Sequence, residues 1–364
     1  MTTLMQANRQ WASRPADERF TSLIEMDSFC QHQYRNSSAR VVSTRDIEAI
    51  APDKNTLQVV GRAGNPIDVS HWGFGQLAQR AAAPANYLRT LPAQLAADNI
   101  NYGLRFSRES EDIGLLFTRT DGVGGAMLRA ATGPQYGRVW NATITESLVN
   151  RFGDGVTGNF RVPGEFGKAV DVTQANTTLF AGDRDMFVFL ADEERRIEVP
   201  NRRDGQSGSL ARGFFVWNSE VGSATFGCAM FLFDYACSNR IVWGAQDYRE
   251  VRVRHTKSAP HRLVEEVEPA ITAFARASDA PIRHAIAAAQ AKKVDDIDAF
   301  LRSRKFNNSQ VEGIKAAHAA DEGRPMESLW DVTTGITAYA RNVSWQDDRV
   351  ALERIGGEVM ALAA

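Results

Sequence analysis

The run from Thr225 to Tyr235 constrains the fold more than any other part of the chain. Two sets alternate along it: Thr225, Gly227, Ala229, Phe231, Phe233 and Tyr235 against Phe226, Cys228, Met230 and Leu232. A twofold period marks a strand. Because both sets are largely apolar, that strand needs cover on both faces, as at the centre of a sheet. Periodicity alone leaves an equally apolar buried helix open. On either side, Gly213 to Trp217 reads as a strand, Asn218 to Gly222 as a turn, and Cys237-Ser238-Asn239 as another turn. Arg240 to Gly244 then forms a short strand, and Glu250 to His255 a strand in which Val251 and Val253 alternate with Arg252 and Arg254.

Upstream, the same twofold period predicts strands at Tyr102–Ser107, Ile113–Arg119, Ala126–Ala131, Thr178–Phe180 and Met186–Leu190. A helix is expected from about Thr143 to Phe152, and another element begins at Pro15–Phe20 with Ser13 as N-cap. Short helices are expected from about Gly75 to Ala83 and around Pro92. The polar, glycine- and serine-rich stretch Asn201–Leu210 reads as the most mobile loop. Beyond Thr256 helical periods dominate: Arg262–Ala277, Pro281–Ala291, Asp295–Ser303, Ser309–Ala320, Met326–Arg341 and Gln346–Ala363. The expectation is an α+β chain in three parts: a helical or mixed segment over 1–100, an antiparallel β-rich core over 101–256, and a helical segment over 257–364.

At 364 residues the chain can bury one large core or two. Its net charge of −2 supplies no overall basic field, so a nucleic-acid partner must meet a local patch. No apolar run approaches the ~18 residues that span a bilayer, so no membrane partner is expected. The opening residues lack the order of a signal peptide, and three cysteines without C-x-x-C spacing fit a reducing compartment. A cytoplasmic location follows as the expectation.

The chemistry-bearing motifs are few. Gly122-Val123-Gly124-Gly125 joins two antiparallel strands and reads as a hairpin turn rather than a phosphate cradle, and no P-loop or G-x-S-x-G elbow is present. Cys228 and Cys237 lack zinc-site spacing and read as buried apolar groups. Asp183 and Asp185 have the alternate spacing that can share a divalent cation, though two such carboxylates also orient a tight turn before a strand. No cofactor is predicted, and a divalent metal enters only with this alternative. The segment from Arg240 onward is more informative. Arg240, Arg249, Arg252, Arg254 and Lys257 outnumber Asp247 and Glu250, with Trp243 and Tyr248 between them. Arginines on one strand face can track phosphates and the aromatics can stack bases, whereas the plainer reading is a solvated strand face.

Several segments resemble a family of phage/plasmid-like proteins, found on phages, prophages and plasmids and defined as a domain of unknown function. They are Ala7-Asn8-Arg9-Gln10-Trp11, Ala181-Gly182-Asp183-Arg184-Asp185-Met186-Phe187, Asn218-Ser219-Glu220-Val221-Gly222, Cys237-Ser238-Asn239-Arg240, Arg252-Val253-Arg254-His255-Thr256 and Gly335-Ile336-Thr337-Ala338-Tyr339-Ala340-Arg341. The resemblance implies a mobile-element origin and a cytoplasmic setting. A β-rich core with a basic groove also occurs in phage single-strand annealing proteins, without a residue-by-residue match. The leading expectation is a non-catalytic protein that binds or anneals single-stranded DNA in replication or recombination, as a homo-oligomer along the strand. A metal-dependent nuclease and a phage assembly protein are the alternatives.

Overall fold

The computed structural model describes residues 14–62, 64–106, 112–120, 125–163, 171–200, 202, 205, 207–234, 239–241, 250–343 and 346–363. The Phe226–Asp234 run is a strand, as its doubled apolar pattern requires, and it lies inside an eight-stranded sheet. That sheet comprises β7 (Phe160–Arg161), β8 (Leu179–Ala181), β9 (Met186–Asp192), β10 (Ile197–Val199), β11 (Gly208–Asn218), β12 (Phe226–Asp234), β13 (Asn239–Ile241) and β14 (Glu250–Val253). Its main path is β13-β12-β11-β9-β7, with β14 on β12, β10 on β11 and β8 on β9, all antiparallel. One face presents Phe214, Val216, Phe226, Cys228 and Met230 to a large core, and the other stacks Phe187, Phe189, Phe215 and Phe231. Both faces of β12 are therefore covered.

The remaining strands form a six-stranded sheet of β1 (Ser37–Ser43), β2 (Ile47–Ile50), β3 (Gln58–Gly61), β4 (Ile67–Val69), β5 (Asp112–Arg119) and β6 (Ala126–Thr132). Its order is β1-β5-β6-β4-β3-β2, with only β4 and β6 parallel. The two edge strands, β1 and β2, are consecutive in sequence and joined by the single 3-10 turn Thr44–Asp46. So short a link draws the two edges together, and the sheet curls towards a barrel. This sheet takes strands from both sides of residue 100, so the 1–100 segment supplies four of its six strands.

The helices are α1 (Leu23–Arg35), α2 (His71–Arg80), α3 (Ala85–Leu88), α4 (Ala93–Phe106), α5 (Asn141–Phe152), α6 (Ala259–Arg262), α7 (Glu268–Arg276), α8 (Ala280–Ala291), α9 (Ile297–Ser303), α10 (Asn308–Glu322), α11 (Leu329–Arg341) and α12 (Gln346–Ala361). Leu263–Val267, between α6 and α7, is a π-helical turn. Local signals set their ends: Ser22, Ser70 and Asp296 accept backbone N–H groups as N-caps, and Asn307 with Gln310 and Ser328 with Asp331 close capping boxes. Helices α1, α5 and α7 cover the first face of the large sheet, and α8 to α12 pack around Trp330 against β10 and Leu232. Among the described residues no helix is long and apolar enough to cross a membrane.

Three sequence expectations need correction. Tyr102–Phe106 is not a strand but the last turn of α4. Ile100, Gly103 and Leu104 are buried at helical spacing, while the outward Tyr102 and Phe106, 69% and 68% exposed, create a false alternation. The Pro15–Phe20 element is one 3-10 turn, Ala16–Glu18, without a side-chain cap, and the first α-helix starts at Leu23 under Ser22; Ser13 lies outside the described residues. In the loop before β11, Arg202 is buried, ion-paired to Glu322 at 2.5 Å and set over the Trp330 ring, so that part of it is anchored.

Candidate nucleic-acid interface

Of the seven basic and aromatic residues singled out in the sequence, Trp243, Tyr248 and Arg249 lie outside the described residues. Arg240 belongs to β13, where its Cα faces Phe233 of β12. Arg252 sits on β14 opposite Gly227, half-buried, between Val251 and Val253, which pack into the core. The twofold pattern thus works as expected: valines inward, arginines away. Arg254 and Lys257 follow the strand end and are exposed, and neither forms an ion pair among the described residues.

What lies beside them was not legible from the segment itself. The stretch Gly133–Arg138, which follows β6, runs against Arg254–Lys257, with Gly137 N–H donating to the His255 carbonyl at 3.0 Å. A β-carbon at Gly137 would lie 1.7 Å from the Thr256 oxygen, so only glycine permits this approach. The contact places the Tyr136 ring on the His255 imidazole, centroids 4.8 Å apart and nearly parallel. His255 Nδ1 donates to the Gly137 carbonyl at 3.1 Å. Burial lowers its pKa to about 4, with Arg138 acting in the same direction, so the ring is neutral near pH 7. Arg138 lies over both Tyr136 and Trp140, at 5.1 and 5.7 Å. Burial also lowers the Arg138 pKa, opposed by Tyr136 and Glu220, and its Nε and Nη1 have no hydrogen-bond partner among the described residues. The result is a shallow depression of about 600 Å³, lined by Gln135, Tyr136, His255 and Lys257. It combines an aromatic floor with one surface cation, Lys257.

This surface is fixed to the joint between the two sheets. All of the Asn218–Gly222 turn but Gly222 is buried: Asn218, Ser219 and Val221 are fully covered and Glu220 is 1% exposed. Glu220 pairs with Arg129 of β6 at 3.1 Å and accepts the Asn141 N–H at 2.8 Å. Trp72 and Gln76 of α2 donate to the Val221 carbonyl, and the Tyr136 hydroxyl donates to the Ser219 carbonyl at 2.8 Å.

The two candidate metal ligands do not behave alike. Asp185 is buried and ion-paired to Arg14, which also holds Glu18 at 3.0 Å. Asp183 is exposed, and its backbone carbonyl accepts a hydrogen bond from Arg129. Burial raises the Glu18 pKa; Arg14 works against that, and Asp183 and Asp185 add to it, so the three carboxyls share one neighbourhood around one arginine. Among the described residues no cluster of three or more His, Cys, Asp or Glu side chains is arranged to hold a metal ion. Cys228 is buried in the core.

Sequence reading also missed a second basic surface, at the mouth of the curled sheet. Arg35, Arg40, Arg62 and Arg119 line it but are dispersed along the chain, and only the pairing of β1 with β5 and the curl of β2 and β3 bring them together. No run of charge signals it. The class defined by this geometry is an α+β protein of two antiparallel-rich sheets with local cationic surfaces. No family model, curated protein or solved structure matches the chain.

Proposed function

We propose that this chain is a non-catalytic nucleic-acid-binding protein of a phage or plasmid that acts on single strands in the cytoplasm, binding or annealing them as an oligomer. The observation that carries the reading is the exposed Lys257 lining the Tyr136–His255 depression, with the exposed Arg254 next to His255 in the chain, in a protein whose net charge is slightly negative. Cations of this kind neutralise phosphates, and a neutral aromatic floor accepts bases regardless of sequence. The resemblance to phage/plasmid-like proteins supports the mobile-element setting. The metal-nuclease alternative has less support, because the Arg14 guanidinium already compensates Asp185.

The test is fluorescence anisotropy of labelled single- and double-stranded oligonucleotides at two salt concentrations. Binding that favours single strands and weakens with salt is expected, with each lost phosphate contact reducing the log–log salt slope by about 0.7. No binding to either form at low salt refutes the reading.

A further inference from the structure

The curled six-stranded sheet has an open mouth with a cavity of about 620 Å³. Its interior is apolar at depth, where Val59, Ile67, Leu115 and Phe117 form a floor continuous with the core beneath α2 and α4. The free edge of β2 is occupied at Ala49. Asn101 of α4 pairs with both backbone groups of Ala49 on β2, accepting from its N–H at 2.7 Å and donating to its carbonyl at 2.8 Å. The helix thereby satisfies that strand, and the mouth remains concave.

The rim is cationic. Arg35 ends α1, Arg40 projects from β1, Arg119 ends β5 and Arg62 follows β3, and among the described residues Asp46 is the single lining carboxylate. Arg62 and Asp46 form an exposed pair at 2.7 Å. Arg35, Arg40 and Arg119 are exposed, and none forms an ion pair among the described residues.

We infer that this mouth is the seat of a single nucleic-acid strand, with phosphates on the arginine rim and unstacked bases turned to the Phe117 floor. The inference rests on the nucleic-acid reading above and relocates its centre from residues 240–257 to the curled sheet. Three features select this ligand. Cations spread over one helix end and three strands match a line of phosphates better than one headgroup. The apolar floor rewards a base only when that base is exposed, which a duplex prevents. Ser38 and Asn65, both lining the mouth, add polar groups for base edges.

The experiment compares three full-length proteins by anisotropy with labelled single- and double-stranded oligonucleotides: wild type, Arg40→Glu/Arg119→Glu and Arg254→Glu/Lys257→Glu. All four substituted side chains are exposed, so both variants retain the fold, as circular dichroism will check. The Arg40→Glu/Arg119→Glu variant should lose affinity for single strands by at least about tenfold at low salt, with a shallower salt slope. The other variant should lose less. The opposite ranking overturns the placement while leaving nucleic-acid binding intact, and absence of wild-type binding overturns both. As an independent readout, photo-crosslinking a bromodeoxyuridine-substituted strand to wild type should label the peptide containing Phe117. Labelling confined to residues 250–258 overturns the placement.

Discussion

Acidification should destabilise this protein through a buried histidine, and His318 is the place to measure it. The side chain is completely buried on α10 against α11. Its Nδ1 lies 3.3 Å from Thr334 Oγ1, and its Nε2 is 3.9 Å from Asp331 Oδ1, too far for a hydrogen bond. Burial lowers its pKa from 6.5 to about 4; Asp331 and Asp321 attract the proton, while Arg324 and Arg202 repel it. The folded value lies below the unfolded one, so the unfolded chain takes up the proton first. The stabilisation is fully present above pH 6.5 and disappears as pH falls towards 4. Over the whole window the shift amounts to about 3 kcal/mol, and between pH 8 and pH 5 to about 2 kcal/mol. Burial pushes the Asp331 carboxyl up, but Arg324, Ser328 and the Glu327 N–H together hold it below its ordinary value, so it stays ionised throughout. His255 titrates in the same window and contributes equally to wild type and to His318→Gln, so it cancels in the comparison. Urea unfolding of both proteins at pH 8 and pH 5 should show wild type losing about 2 kcal/mol more than the variant. Identical pH sensitivity would refute the assignment.

Two further outcomes follow from packing and buried charge. Glu220→Gln leaves the buried Arg129 without its counter-ion, and denaturant unfolding should show a loss of about 3–5 kcal/mol, partly restored by adding Arg129→Met. Gly103→Ala in α4 would ordinarily gain about 1 kcal/mol of helix propensity. Here the new methyl would lie 1.9 Å from the Ala81 carbonyl oxygen, so the melting temperature should fall, by an amount equivalent to about 1–3 kcal/mol.

Much of the architecture was legible because its signals are local. The C-terminal helices follow their periods and caps, and β12 declares its central place through two apolar sets. The six-stranded sheet was half-hidden for a physical reason. On β1, Ser38 to Val41 are all exposed, so the strand carries no buried apolar alternation, and its partner β5 lies far along the chain. The same non-locality hid Arg35, Arg40, Arg62 and Arg119. Residue type correctly marked Arg254 and Lys257 as surface cations, but Tyr136 and Arg138 join them only through tertiary contact at Gly137. The Asn218–Gly222 turn was recognisable as a turn, yet its role as a buried socket between sheets depends on Arg129, Trp72 and Tyr136, which no local pattern connects to it.

The strand order β1-β5-β6-β4-β3-β2 also has a consequence for how the protein is made. On the ribosome, β2, β3 and β4 can pair as neighbours at once, but β1 must wait until residues 112–119 emerge. During that interval the first-made strand remains open and able to pair wrongly. In the second sheet, by contrast, β8 with β9 and β11 with β12 meet their partners almost as they appear. Non-local pairing is slow because loop closure precedes any gain from contact. Pairing of β1 therefore waits on β5, and the timing of that step is set by topology rather than by the strength of any single interaction.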